Sequence, residues 1–209
     1  MLFSASAALS STLIAVAALY AGPRIAKVLN LFGRDVHKLD KPLLPLCGFS
    51  ILPPIFFAYA ASSLLMHSLA LAALLITAIT SCCIGLVDDL FQLSTWEKTA
   101  ALLLIPLPLA AVWLGEGFVS ALTCYAFVVA STASANSLDV LNGSLTGSSS
   151  IALAAFLLIA LLAPDNEALI ASLGLLVAVL VFHSRNAFPA KHLLGDSGSL
   201  LIGAVAGAC

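Results

Sequence analysis

Two adjacent carboxylates, Asp88 and Asp89, end the stretch Gly85-Leu86-Val87-Asp88-Asp89, and Trp96-Glu97-Lys98 follows shortly after. Repulsion between neighbouring carboxylates raises one pKa, which suits a general base, a cation site or both. An acidic helix end facing water is the plain alternative. A second polar stretch, Ala135-Asn136-Ser137-Leu138-Asp139-Val140-Leu141-Asn142-Gly143, repeats a polar side chain every third residue. On a helix that spacing puts Asn136, Asp139 and Asn142 on one face. Converging carboxylate and amide oxygens suit a hard cation such as Mg²⁺, or the ribose and base of a nucleotide. A helix cap and turn would use the same residue types.

Further on, Leu194-Gly195-Asp196-Ser197-Gly198-Ser199 precedes an apolar run. Glycine permits close backbone approach, a helix N-terminus favours anions, and Asp196 could hold a cation that bridges phosphates. Alone, the segment reads equally as an N-cap. Near the N-terminus, Gly33-Arg34-Asp35-Val36-His37-Lys38-Leu39-Asp40-Lys41-Pro42 mixes basic residues with His37. It is either topology-setting charge beside anionic lipid or, at Lys38, a phosphate contact.

The elements that position these groups follow from composition. Of 209 residues, 62% are hydrophobic and only 9% charged, with mean hydropathy +1.14. A water-exposed surface normally needs about 25% charged residues, so a soluble domain is excluded. The apolar runs approach the ~20 residues that carry a helix across ~30 Å of hydrocarbon, and they lack the alternation of a transmembrane barrel. The sequence therefore predicts an all-α, polytopic transmembrane helix bundle, a single integral membrane domain over residues 1–209 with about eight spans.

The expected spans lie near Leu2 to Tyr20, Leu43 to Leu65, Leu69 to Val87, Thr99 to Leu114, Phe118 to Ser131, Ser150 to Ala163 and Ala168 to Phe182. An eighth, partial span begins near Leu200. Pro53, Pro54, Pro106 and Pro108 fall inside these spans, which predicts kinks. No basic residue precedes the first run, which argues for a retained first span rather than a cleaved signal peptide. Five cysteines without metal-type spacing read as small apolar residues.

Charge placement orients the bundle. Arg24, Lys27, Arg34, Lys38 and Lys41 follow span 1, Lys98 follows span 3, and Arg185 and Lys191 follow span 7. All Lys and Arg thus share one side, which the positive-inside rule makes cytoplasmic, with the N-terminus outside. The opposite loops carry His67, Glu116, Asp165 and Glu167. Every candidate motif lies on the basic side.

Taken in order, Asp88-Asp89 with Lys98, the Asn136/Asp139/Asn142-Gly143 stretch and Gly195-Asp196-Ser197-Gly198-Ser199 resemble the polyprenyl-phosphate N-acetylhexosamine-1-phosphate transferase family. The Asp-Val-His-Lys and Asn-Gly forms look most like its eukaryotic and archaeal dolichol-linked branch. The resemblance implies transfer of a sugar 1-phosphate, GlcNAc-1-phosphate in that branch, from a UDP-sugar to a polyprenyl or dolichyl phosphate, releasing UMP. It implies Mg²⁺, or Mn²⁺ in its place, bridging the diphosphate, with Asp196 and Asn136 toward the metal. It implies Asp88 and Asp89 as the paired catalytic aspartates, with Lys98 and Asn142 toward substrate; Asp139 on the polar face and Lys38 in the basic loop are further candidate substrate contacts. The implied partners are a UDP-sugar, a polyprenyl lipid and the bilayer, with no nucleic acid.

The membrane would be the plasma membrane of a prokaryote or the endoplasmic reticulum of a eukaryote, with the site cytoplasmic. Ala133 stands where many relatives have the first Asn of the loop motif. The family generally has about ten spans, with a basic or His-rich loop between the last two, so further spans are expected from a longer chain or a partner. Two other functions fit the composition: a transporter, whose polar residues would mark a path, and a non-catalytic truncated relative.

Overall fold

The computed structural model describes residues 2–33, 44–163 and 165–209. Helix α1 spans Leu2–Val28 and contains Pro23. A two-residue antiparallel ladder, β1 Phe32–Gly33 with β2 Leu44–Pro45, leads to a 3₁₀ turn at Gly48–Ile51. Then come α2 (Leu52–Met66), α3 (Leu69–Phe91), α4 (Thr95–Leu104), α5 (Leu107–Trp113) and a 3₁₀ turn at Leu114–Glu116. The chain continues through α6 (Phe118–Leu138), α7 (Ser144–Leu162), α8 (Asn166–Asn186) and α9 (Gly195–Ala206).

Six stretches are long and apolar enough to cross a membrane: Gly48–Met66, Leu69–Phe91, Thr95–Glu116, Phe118–Leu138, Ser144–Leu162 and Asn166–Asn186. This is an all-α membrane bundle, as expected, with six such stretches among the described residues; the expected first span falls in α1. The expected eighth span falls in α9, whose 12 residues at 1.5 Å rise cover about 18 Å, short of a ~30 Å core. Exposed Leu64, Leu69, Phe118, Ile151 and Leu162 form the kind of surface that lipid covers.

One expectation about proline needs correction. Pro53 and Pro54 do not kink a span, because the helix proper begins at Leu52 rather than near Leu43. They occupy its first turn, where a missing N–H leaves no hydrogen bond unmade. Pro106, by contrast, breaks the fourth span between α4 and α5 as expected, within the single stretch Thr95–Glu116. Proline lacks the donor and clashes with the preceding turn.

Local chemistry sets the other boundaries. Ser68 caps α3 by accepting from Leu71 N at 3.1 Å, and Gln92 ends it with φ 53°. Ser94 and Glu97 form a reciprocal capping box on α4, and Asp165 accepts from Glu167 N and Ala168 N at the start of α8.

Helix α9 is the buried element: Leu200, Leu201, Ile202, Ala204 and Val205 are inaccessible to solvent. It packs mainly against α3 and α6. Apolar side chains gain little from leaving lipid for protein, so such packing rests on close van der Waals fit and small residues. Gly85 of α3 supplies that fit, since a Cβ there would collide with the backbone of Asp196 and Ser197. The contact fixes the end of α3 against the beginning of α9, where the polar motifs meet.

Candidate active site

Four elements deliver the site. Asp88 lies in the last turn of α3, Lys98 in α4, Asn136 near the end of α6 and Asp196 in the first turn of α9. The Lys98 ammonium sits 2.6 Å from Asp88 Oδ2 and 2.7 Å from Asp196 Oδ1. Asp88 is 6% exposed, and Oδ2 has that ion pair but no aligned hydrogen bond. Its Oδ1 accepts from Leu93 N at 2.8 Å, just past the helix end.

The hydrogen-bonding pattern orients the Asn136 amide. Its oxygen accepts from Lys98 Nζ at 3.2 Å, and its nitrogen donates to Asp196 Oδ1 and to Ser199 Oγ. Asp88, Lys98, Asn136 and Asp196 line a cavity of about 490 Å³ together with Gln92, Thr95, Thr99 and Ser137.

Asp89 does something different from its neighbour. Its Oδ1 accepts from Asp196 N at 2.9 Å and its Oδ2 from Ser197 N at 3.0 Å. It therefore caps α9 from another helix, meeting donors that a helix N-terminus leaves unpaired. Gly195 makes room for this: it adopts φ +71°, and a Cβ there would lie 2.9 Å from Asp89 Oδ1.

The second motif is only partly as expected. Helix α6 ends at Leu138 and Asp139 is its C-cap, so Asn136, Asp139 and Asn142 do not share a helical face. Asp139 still belongs to the electrostatic neighbourhood. Burial pushes its carboxyl up to about 7, and the charges of Asp196 and Asp89 add to the rise. Asn142 lies in the turn before Gly143, where φ is +82° and α7 begins. Lys38 lies outside the described residues.

Sequence reasoning missed a second polar cluster. Buried Asn186 accepts from Gly143 N and Thr146 Oγ1, each at 3.0 Å, and donates to the His192 carbonyl at 3.2 Å. Thr146 Oγ1 also lies 2.8 Å from His183 Nδ1. Asn186 thus ties the α6–α7 turn to the loop before α9. Its types and spacing carry no recognisable motif, because Gly143 and Thr146 lie 43 and 40 residues before it and that pairing is tertiary. Ser199, part of the third motif but given no task, is fully buried against Asn136.

The donor set suits a hard dication. Asp88 and Asp196 share one ammonium, the charges of Asp196 and Asp89 reach Asp139 nearby, and Asp88 Oδ2 is buried without an aligned donor. Carboxylate and amide oxygens are the ligands that Mg²⁺ takes. No group of three or more His, Cys, Asp or Glu among the described residues has metal-binding geometry, so water or substrate oxygens would complete the shell, as is usual for Mg²⁺.

A helical membrane bundle with an acidic, lysine-bridged cavity at the shared ends of its helices is the class of protein defined so far. The glycosyl transferase family 4 model matches residues 71–209, most of the chain and every element of the site, and the chain belongs to that family. It is 31% identical over 153 residues to phospho-N-acetylmuramoyl-pentapeptide-transferase of Limosilactobacillus fermentum, covering 64% of this chain and 48% of that one. It is 28% identical over 204 residues to a Saccharolobus solfataricus protein, covering 88% of this chain and 63% of that one. That relative carries the provisional name UDP-N-acetylglucosamine–dolichyl-phosphate N-acetylglucosaminephosphotransferase. The chain thus spans about half to two thirds of these relatives.

Proposed function

We propose that this chain forms the catalytic end of a membrane transferase that moves a sugar 1-phosphate from a UDP-sugar to a polyprenyl or dolichyl phosphate, releasing UMP. The observation that carries the reading is Lys98 held between Asp88 and Asp196 in a cavity at the helix ends. A lipid phosphate presents its head at the bilayer surface and a nucleotide sugar arrives from water. Only a site at helix ends meets both. A transporter's polar groups would instead lie near the midplane.

In this reading an oxygen of the lipid phosphate attacks the phosphorus that carries the sugar, a new P–O–P link forms, and the bond to UMP breaks. Catalysis is then mainly positioning and charge neutralisation. Lys98 faces the diphosphate, Asp88 orients Lys98 and the attacking phosphate, and Asp89 holds α9 so that Asp196 stays in place. Asp139 and Asn142 stand toward the nucleotide. Asp196 and Asn136 would hold Mg²⁺, which when bound neutralises charge on the diphosphate. The one-sided Lys and Arg residues support a cytoplasmic site, and the S. solfataricus relative's name supports GlcNAc as the sugar.

The test is UMP release from UDP-GlcNAc by the native full-length protein in liposomes containing dolichyl or undecaprenyl phosphate. Asp196→Ala should abolish turnover, and excess EDTA should stop the wild type. Wild-type turnover in that variant or in EDTA removes the metal from the mechanism. Solute uptake into vesicles without nucleotide release would favour the transporter.

A further inference from the structure

Lys98 occupies the position that a cation would take. Its ammonium has three donors, and Asp88 Oδ2, Asp196 Oδ1 and the Asn136 amide oxygen surround it at 2.6, 2.7 and 3.2 Å. Two of them, on Asp196 and Asn136, are hard oxygens the proposed function assigns to a divalent cation, which binds such ligands at about 2.0–2.1 Å in the case of Mg²⁺; Asp88 Oδ2 is a third of the same kind beside them. A dication on Asp196 Oδ1 and an ammonium 2.7 Å from the same oxygen repel one another and compete for it, so each weakens the other's hold.

The element carrying Lys98 is built to let it leave. No residue of α4 is buried, and Trp96 is 85% exposed. Its tertiary polar ties include Lys98 and a bond from Tyr125 OH to the Leu103 carbonyl at 2.8 Å. The lysine stem is long and flexible. Displaced from the carboxylates, its ammonium stays within the cavity beside Gln92, Thr95, Thr99 and Ser137, where anionic phosphate would enter.

We propose that Lys98 is a resident stand-in for the divalent cation: it ties Asp88 and Asp196 together in the metal-free protein, and cation binding releases it toward the substrate phosphates. The inference rests on the proposed phosphate-transfer reading and deepens it by setting an order, with the cation arriving before the lysine is free to bind phosphate. Lysine and cation then exclude one another on the carboxylates while cooperating on the substrate.

The experiment uses the native full-length protein in detergent, without nucleotide, titrated with Mn²⁺ while free Mn²⁺ is followed by electron paramagnetic resonance. Lys98→Met should bind Mn²⁺ at least tenfold more tightly than wild type. Hydrogen exchange supplies a second readout: Mn²⁺ should speed exchange of the α4 amides in wild type and leave them unchanged in Lys98→Met, where the latch is already open. Equal or weaker Mn²⁺ binding by Lys98→Met, with binding still lost in Asp196→Ala, overturns the exchange and leaves the metal site standing. Tighter binding without faster α4 exchange in wild type shows a charge effect with no displacement, and also overturns it. Absence of saturable Mn²⁺ binding in wild type overturns both the exchange and the metal in the proposed function.

Discussion

Replacing Asp89 with Asn separates the two neighbouring aspartates. Asp89 donates nothing and accepts twice, from Asp196 N at 2.9 Å and Ser197 N at 3.0 Å. Asn has one side-chain oxygen, so one backbone donor of α9 loses its partner and faces an amide NH₂ instead. A hydrogen bond to a charged group contributes about 1.5–3 kcal/mol, and a negative charge at a helix N-terminus adds roughly 0.3–1 kcal/mol. The expected loss is therefore about 2–4 kcal/mol, or on the order of 4–16 °C in Tm for a chain of this size. Asp88→Asn keeps the Oδ1 that accepts from Leu93 N and faces the cavity, so its Tm should fall much less while turnover drops at least tenfold, about 1.4 kcal/mol of barrier. The assay is thermal unfolding of purified full-length protein alongside UMP release. Wild-type Tm for Asp89→Asn, or equal Tm losses in both variants, would refute the assignment of Asp89 to the α9 cap.

Asp139 makes stability fall as pH rises: folded, it keeps its proton to about 7, whereas unfolded it loses it near 3.9. The folded state thus binds more protons between these values, with a ceiling of about 4 kcal/mol lost by pH 7. In metal-free buffer Tm should decline from pH 5 to 7 and level off above, while Asp139→Asn should flatten this profile; a wild-type profile in the variant would exclude Asp139 as its source. Asn186→Ala should cost about 1–3 kcal/mol, since it strands the half-buried Gly143 N–H and His192 carbonyl. Thermal unfolding and faster proteolysis between residues 187 and 194 would report it, and a Tm within 1–2 °C of wild type would show that Asn186 does not hold these loops together.

Much of this architecture was legible in the sequence because the bilayer enforces helices, and run lengths alone then mark them out. The convergence of Asp88, Lys98, Asn136 and Asp196 was legible too, since each motif sits at the same end of a span and lipid confines charge to those ends. What sequence did not yield is what neighbours decide. Asp88 and Asp89 are adjacent, yet one turns to Lys98 and the other to the backbone of α9, a division that depends on where α9 docks. The Asn136, Asp139 and Asn142 spacing is helical, but the helix stops at Leu138. Pro53 and Pro54 looked like kinks only because the apolar run began before the helix did.

The carboxylates at the site differ in how their charge is met, and the differences bear on what the site can accept. Asp89 is satisfied by two backbone N–H groups of α9. Asp139, buried near other carboxylates, retains a proton to about neutrality. Asp88 and Asp196 share one ammonium carried on a helix with no buried residue. The first two arrangements are local and fixed by backbone or burial, so they add little further demand for positive charge. The third leaves two carboxylates with one removable cation beside a cavity of about 490 Å³. A dication there would match the pair's charge and free the lysine for an incoming phosphate. On the proposed function the chemistry would therefore concentrate on Asp88, Lys98, Asn136 and Asp196, with Asp89 as the residue that holds Asp196 in place.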